Sequence, residues 1–368
     1  MDMTASAAMA VPRATSARGW PPAVTLLGGT MLSLIGLTWD VQWHSDVGPD
    51  TFFTLPHLFL YAGSAVAGLT SLAVVLLTTA RQRAGREIDP HVGGRVVGVF
   101  GKTFAAPVGY LVSGVGAALF LSYGLWDQWW HGLYGFDAVI SSPPHIGLLL
   151  SVTITVIGSI MVFAAARDLR WGLAGTIGGI GVLLAFSAIT VLGLQELEGG
   201  VVSATDVGVS FMSVLLVLVA RGFFGKPGGA LLAAAALAVL QAVFWWFSPW
   251  AAHAYADAVG LPIRDYVSGV PEMPSLMPMA LVVVAALIEL VLRRGTARWL
   301  PIAAGALGGL LVSGLQPWQR AWLYPFSPRL DSVLVTCAVA TVLGALAGHL
   351  GWRFGGMLRL LAPIGERK

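Results

Sequence analysis

Long apolar runs separated by short polar breaks recur along this chain from near its start to near its end. A helix needs about 20 predominantly apolar residues to cross the hydrocarbon core of a bilayer. Runs of that length lie at roughly 21–44, 55–80, 103–131, 143–166, 172–195, 203–222, 229–248, 272–292, 299–316 and 331–351. The pattern predicts an all-α, polytopic membrane protein of about ten transmembrane helices. It divides the chain into an N-terminal tail (1–20), a four-helix unit (21–166), six further helices, 5–10 (167–351), and a basic C-terminal tail (352–368). No apolar core precedes Trp20, so the first run is expected to be a retained helix and not a cleaved signal peptide.

The polar breaks alternate in charge. Arg81, Arg83, Arg86, Arg95 and Lys102 fall in one loop, and Arg167, Arg170, Arg221, Lys226, Arg293, Arg294 and Arg298 fall in the later even-numbered ones. Arg353, Arg359, Arg367 and Lys368 close the chain. The odd-numbered loops and the helix ends beside them receive Asp40, Asp46, Asp50, Asp127, Asp137, Glu196, Glu198, Asp206, Asp257 and Asp265, with Arg320 and Arg329 as exceptions. Because basic residues are retained on the cytoplasmic side, both termini are expected to be cytoplasmic and the acidic ends periplasmic.

Composition agrees with this picture. Of the 368 residues 57% are hydrophobic and 11% charged, against about 25% charged in soluble domains. The mean hydropathy is +0.80. Arg outnumbers Lys, and Ala and Gly are abundant, which suggests a GC-rich bacterial genome and hence a bacterial inner membrane. The single cysteine, Cys337, lies in an apolar run, so a Cys-based metal site and an internal disulfide are excluded. Membrane lipid is the expected surrounding, and no nucleic-acid partner is expected.

Into this apolar chain one polar phrase is written twice. Residues 39–63 read WDVQWHSDVGPDTFFTLPHLFLYAG and residues 126–150 read WDQWWHGLYGFDAVISSPPHIGLLL. Each has Trp-Asp, a His four residues after the Asp, Gly-x-Asp, and Pro-His ahead of an apolar run. Helices 1–2 and 3–4 are therefore expected to be copies of one hairpin, with Asp40, His44 and His57 as one set and Asp127, His131 and His145 as the other. The i, i+4 spacing places each Asp and its nearer His on one helix face. Pro56 and Pro144 suit the first turn of the returning helix, which brings His57 and His145 back toward that face. Two imidazoles and a carboxylate form a three-ligand set with open positions, suited to Zn, Fe(II) or Cu. Asp50 and Asp137 are expected to make loop turns or to hold an imidazole N–H.

Several weaker candidates stand outside the two phrases. Met273, Met277 and Met279 offer thioethers for Cu(I) or ordinary packing. His253 and Asp257 suggest a surface pair, His91 a solvated residue, and His349 a hydrogen-bonded one.

The two sets resemble the metal motifs of the C subunit of the copper membrane monooxygenases, the particulate methane and ammonia monooxygenases. That family carries Asp-x3-His-x12-His and Asn-x3-His-x13-His. Asp40, His44 and His57 match the first spacing, and Asp127, His131 and His145 match the second with Asp in place of Asn. The resemblance covers the two hairpins, about a third of the chain; the further helices here have no counterpart in the family's shorter C subunit. It implies copper as cofactor, O₂-dependent oxidation of a small apolar substrate, and partner subunits, one of them cupredoxin-like. The residues alone leave a second reading open, a non-enzymatic copper or zinc carrier, chaperone or sensor.

Overall fold

The computed structural model describes residues 19–135 and 140–362. Among these residues ten helical spans are long and apolar enough to cross a membrane, and the protein is an all-α polytopic membrane protein. The first four are α1 (Trp20–Asp46), α2 (Leu55–Arg83), α3 (Val108–Tyr134) and α4 (Pro143–Ala164). Then come α5 (Arg170–Thr190), which tightens into the 3-10 segment Val191–Leu197, α6 (Ala204–Phe224) and α7 (Gly229–Val259). The eighth span is broken into α8 (Glu272–Leu276) and α9 (Leu281–Leu292), and α10 (Leu300–Leu323) and α11 (Leu330–Leu358) complete the bundle. Prolines stand in the first turn of α1, α2, α4 and α10, where a missing N–H breaks no helical bond.

Helix α6 is the most buried span, followed equally by α4 and α5, and α5 and α6 meet at the centre of the core. Their side chains Ile180, Phe186, Val214 and Leu218 pack with Leu237 of α7 and Ile288 of α9. Elsewhere small residues bring backbones together. A Cβ at Gly305 or Gly309 of α10 would collide with Gly344 O or Ala340 O of α11, and one at Gly348 would meet Pro301 O. Such close approach replaces the hydrophobic drive that lipid cannot supply.

Three segments depart from the sequence expectation. A two-stranded antiparallel hairpin, β1 (Val96–Val99) and β2 (Phe104–Pro107), occupies the end of the basic loop, and α3 begins at Val108, not 103. Hydropathy does not change at that boundary. The hairpin is set by a turn in which Phe100, Gly101 and Lys102 have φ of 50°, 64° and 69°, and by Pro107, which disfavours helix at the residue before it. At the C-terminus, residues expected as tail continue the last span to Leu358 and a 3-10 turn to Leu361. Gly351 and Gly355 seat this extension on the backbone of α6.

The third departure is the break in the eighth span. Its freed carbonyls are taken up by glutamine side chains from neighbouring helices. Gln241 Nε2 donates to Pro274 O and Met277 O (2.8 and 3.0 Å), Gln319 Nε2 to Ser275 O and Met277 O (2.7 and 2.9 Å), and Gln316 Nε2 to Leu276 O (2.9 Å). Gln319 Oε1 accepts the Met279 N–H. Non-helical backbone at membrane depth persists where protein satisfies it in this way.

The two arginines that break the charge alternation are both paired. Arg320 grips the buried Asp206 through both guanidinium nitrogens, at 2.5 and 2.7 Å, and Arg329 meets Asp331 at 2.7 Å.

Candidate metal centre

Both polar phrases fold as ends of helix pairs. Helix α1 carries Asp40 and His44 through its last two turns, and α2 starts at Leu55 with Pro56 and His57 in its first. Helices α3 and α4 do the same with Asp127, His131 and His145. The structure brings all six expected ligands into two groups, one to each helix pair.

In the first group Asp40 Oδ1 lies 3.0 Å from His57 Nε2 and 3.8 Å from His44 Nε2. A fourth member joins them. Asp50 Oδ2 is 3.2 Å from His44 Nε2 and 3.5 Å from His57 Nε2, so Asp50 faces the same nitrogens as Asp40 and does not hold the far side of a ring. Its Oδ1 accepts the Thr51 N–H at 2.8 Å, so the expected turn contact is present as well. Burial alone would raise the Asp50 pKa, but the contact with His44, the nearby His57 and Thr54 hold it below the ordinary carboxylate value. In the second group His131 Nε2 is 3.4 Å from Asp127 Oδ2 and His145 Nε2 is 3.3 Å from Asp127 Oδ1. Asp137 lies outside the described residues.

These spacings suit a metal ion. Ligands about 2.0–2.1 Å from one tetrahedral ion lie roughly 3.3 Å from each other, in the middle of the observed range. The imidazoles are also aimed for it. His57 Nδ1 sits 3.0 Å from Thr51 O, and His131 Nδ1 sits 2.8 Å from Gly135 O. A carbonyl only accepts, so each Nδ1 carries the proton, and a neutral ring then presents the Nε2 lone pair to its group. Asp40 Oδ1 and Asp127 Oδ1 are buried and face imidazole Nε2 atoms at 3.0 and 3.3 Å, and a neutral ring with its proton on Nδ1 offers them no donor. Buried carboxylate oxygens without donors are costly, and a cation between them and the imidazoles removes that cost.

Later helices hold the site in place. Arg264, beyond α7, donates to His44 O at 2.7 Å and Ser45 O at 3.3 Å, and its own N–H donates to Asp46 O. Asp46 accepts from Gln42 Nε2 at 2.9 Å and contacts His253 Nε2 at 2.8 Å. The partner of His253 is therefore Asp46 across the bundle, and not the expected Asp257. On the second pair, Ser141 donates to Glu196 and accepts from Gln195. Both partners lie in the 3-10 segment after α5. Trp39 and Trp43 are buried against Tyr255 and wall the first group, whereas Trp129 is exposed as a belt residue would be.

Below the two groups an apolar cleft of about 810 Å³ opens between α2 and α3. Tyr61 and Gly124 line it; they lie one turn from His57 and from Asp127 respectively. Tyr61 stacks on His57 (ring centroids 5.9 Å apart) and meets Phe120 across the cleft. Leu69, Leu72 and Leu121 on the walls are exposed on the outer surface of the bundle, the surface that lipid covers.

The remaining candidates are structural. Met273 and Met277 are fully buried in the apolar core, and Cys337 is a buried free thiol. His91 bridges Asp89 Oδ1 (2.8 Å) and Asp168 Oδ2 (3.1 Å), tying the loop after α2 to the one after α4. Burial would lower its pKa, but the two carboxylates carry it above the usual imidazole value.

Compared with protein-family models, with curated proteins and with solved structures, the chain matches none.

Proposed function

We propose that this chain is a bacterial inner-membrane copper protein of the monooxygenase type, with two metal groups near the periplasmic face and both termini in the cytoplasm. Its two hairpins are read as copies of one unit. The observation that carries the reading is the convergence of imidazole Nε2 and carboxylate oxygens at metal-ligand spacing in each helix pair, with Nδ1 of His57 and His131 engaged by a carbonyl. Asp40, His44, Asp50 and His57 would hold the first ion, and Asp127, His131 and His145 the second. Copper, when bound, would supply O₂ activation. The chain's own residues hold the ions and fix the imidazole tautomers, and the cleft beside Tyr61 admits a small apolar substrate from the lipid. Inserting one atom of O₂ into a C–H bond sends the other to water and consumes two electrons and two protons, which a cupredoxin-like or other redox partner would deliver. Beneath the groups the buried core side chains Leu34, Leu37 and Leu148 are apolar and offer an ion no ligand, and that favours a one-sided site over a carrier's permeation route.

The test is metal analysis of the purified protein after copper loading, with electron paramagnetic resonance of the bound ion. Two copper ions per chain with nitrogen hyperfine structure are expected. His57→Ala and His145→Ala should each lose one ion while the protein elutes as wild type on size exclusion. Copper content unchanged in the double variant would overturn the assignment.

A further inference from the structure

At the far end of the bundle from the metal groups a second cavity, of about 560 Å³, is lined by Arg221, Arg298, His349, Trp352 and Arg353. Its depth follows from α7. Near its start Ala230 donates to Glu289, the partner of Arg221, and near its end His253 meets Asp46 beside the first metal group. Those 23 residues rise about 35 Å at 1.5 Å each, a full bilayer core.

Among the described residues no carboxylate lines the cavity. The nearest acid in the network is Glu289, which is already used: Oε2 accepts from Arg221 Nε at 3.1 Å and Oε1 accepts the Ala230 N–H at 2.9 Å. Arg221 is 6% exposed, its guanidinium stacks over Trp352 at 5.3 Å, and its Nη1 is buried without a hydrogen-bond partner among the described residues. A guanidinium donor left unmatched in a buried position is costly and seeks an acceptor. Arg298 and Arg353 add two more guanidiniums at the mouth, both exposed and without a carboxylate in the lining. Helices α6 and α9 end nearby and α10 begins there, so at about half a charge each their dipoles leave a net of roughly half a negative charge, less than the guanidiniums carry. The guanidiniums decide the sign.

We infer that this cavity binds a phosphate group, with Arg298 and Arg353 gripping its oxygens and Arg221 forming the buried floor. Guanidinium forks match phosphate oxygens in pairs. The position at a membrane-surface end allows two sources, the headgroup of an anionic phospholipid or free inorganic phosphate.

The experiment uses the full chain in two arms. In nanodiscs of phosphatidylcholine with phosphatidylglycerol, native mass spectrometry counts the anionic lipids that stay bound. In detergent, inorganic phosphate is titrated and followed by thermal shift. The variant R298Q/R353Q alters exposed residues and should fold; R86Q/R95Q removes the same charge from exposed sites in the other basic loop. Loss of two charge-assisted hydrogen bonds should weaken binding at least about tenfold in the first variant, with the second equal to wild type. Retention of phosphatidylglycerol alone identifies a lipid site, and a response to inorganic phosphate alone identifies a solute site. Binding in neither arm, or an equal loss in both variants, would overturn the inference.

Discussion

Asp50 sends its two carboxylate oxygens in different directions: Oδ1 to the Thr51 N–H that shapes its loop, Oδ2 to the imidazoles of His44 and His57. The sequence marks this residue only by its recurrence in a Gly-x-Asp. Nothing in the eight-residue loop at 47–54 has a period, so the direction of its side chain could not be read in advance. Asp40 and His44, in contrast, were legible because a helix fixes which residues share a face. The first group thus has four members, two of them carboxylates, where three with one carboxylate were expected. Asp50→Asn keeps the shape of the side chain and removes its charge. It should lower divalent-metal affinity at the first group by about tenfold or more and leave the second unchanged, as read by titration of each site with Co(II) absorption. Equal affinity in variant and wild type would return Asp50 to the role of a turn residue.

At the scale of elements, the eighth span shows why hydropathy finds a helix but not its interruption. The run 272–292 is apolar but for Glu272, Ser275 and Glu289, and Pro274 and Pro278 are tolerated because Gln241, Gln316 and Gln319 take up the backbone groups that the break releases. Gln319→Leu strips the partner from Ser275 O and from Met279 N–H. At about 1–3 kcal/mol for each buried group left unsatisfied, the variant should lose roughly 2–6 kcal/mol, seen as earlier thermal unfolding in detergent. Leu72→Ala, a lipid-facing change, should have little effect by the same measurement. A Gln319→Leu protein as stable as wild type would show that the break needs no such support. The α10–α11 contact follows a related logic: glycines four apart are visible in the sequence, but which helices they join depends on the packing.

Over the whole molecule, the later helices brace the metal end. Helix α7 and the loop after it reach across to the end of α1, where Arg264 binds the carbonyls of His44 and Ser45 and His253 meets Asp46. The 3-10 segment after α5 does the same for the loop before α4. Arg264→Ala should therefore loosen the last turn of α1 and weaken the first metal group by about tenfold, within the range of supporting contacts around metal ligands, while the second group keeps its affinity. Site-resolved metal titration tests this, and equal weakening of both groups would mean that the brace acts on the bundle as a whole.

The sequence by itself determined the membrane class, the number of spans and the two Asp/His groups, because each rests on a local rule: the length of an apolar run, the i, i+4 face of a helix, proline at a first turn. Only the tertiary structure decided that Asp50 joins the first group, that His253 answers Asp46, and that glutamines seal the broken span. The same holds for the basic cavity, where Arg221, Arg298 and Arg353 come from three separate helices and loops. Such contacts join residues more than two hundred positions apart, and no period or spacing in a chain records which distant segments will pack together.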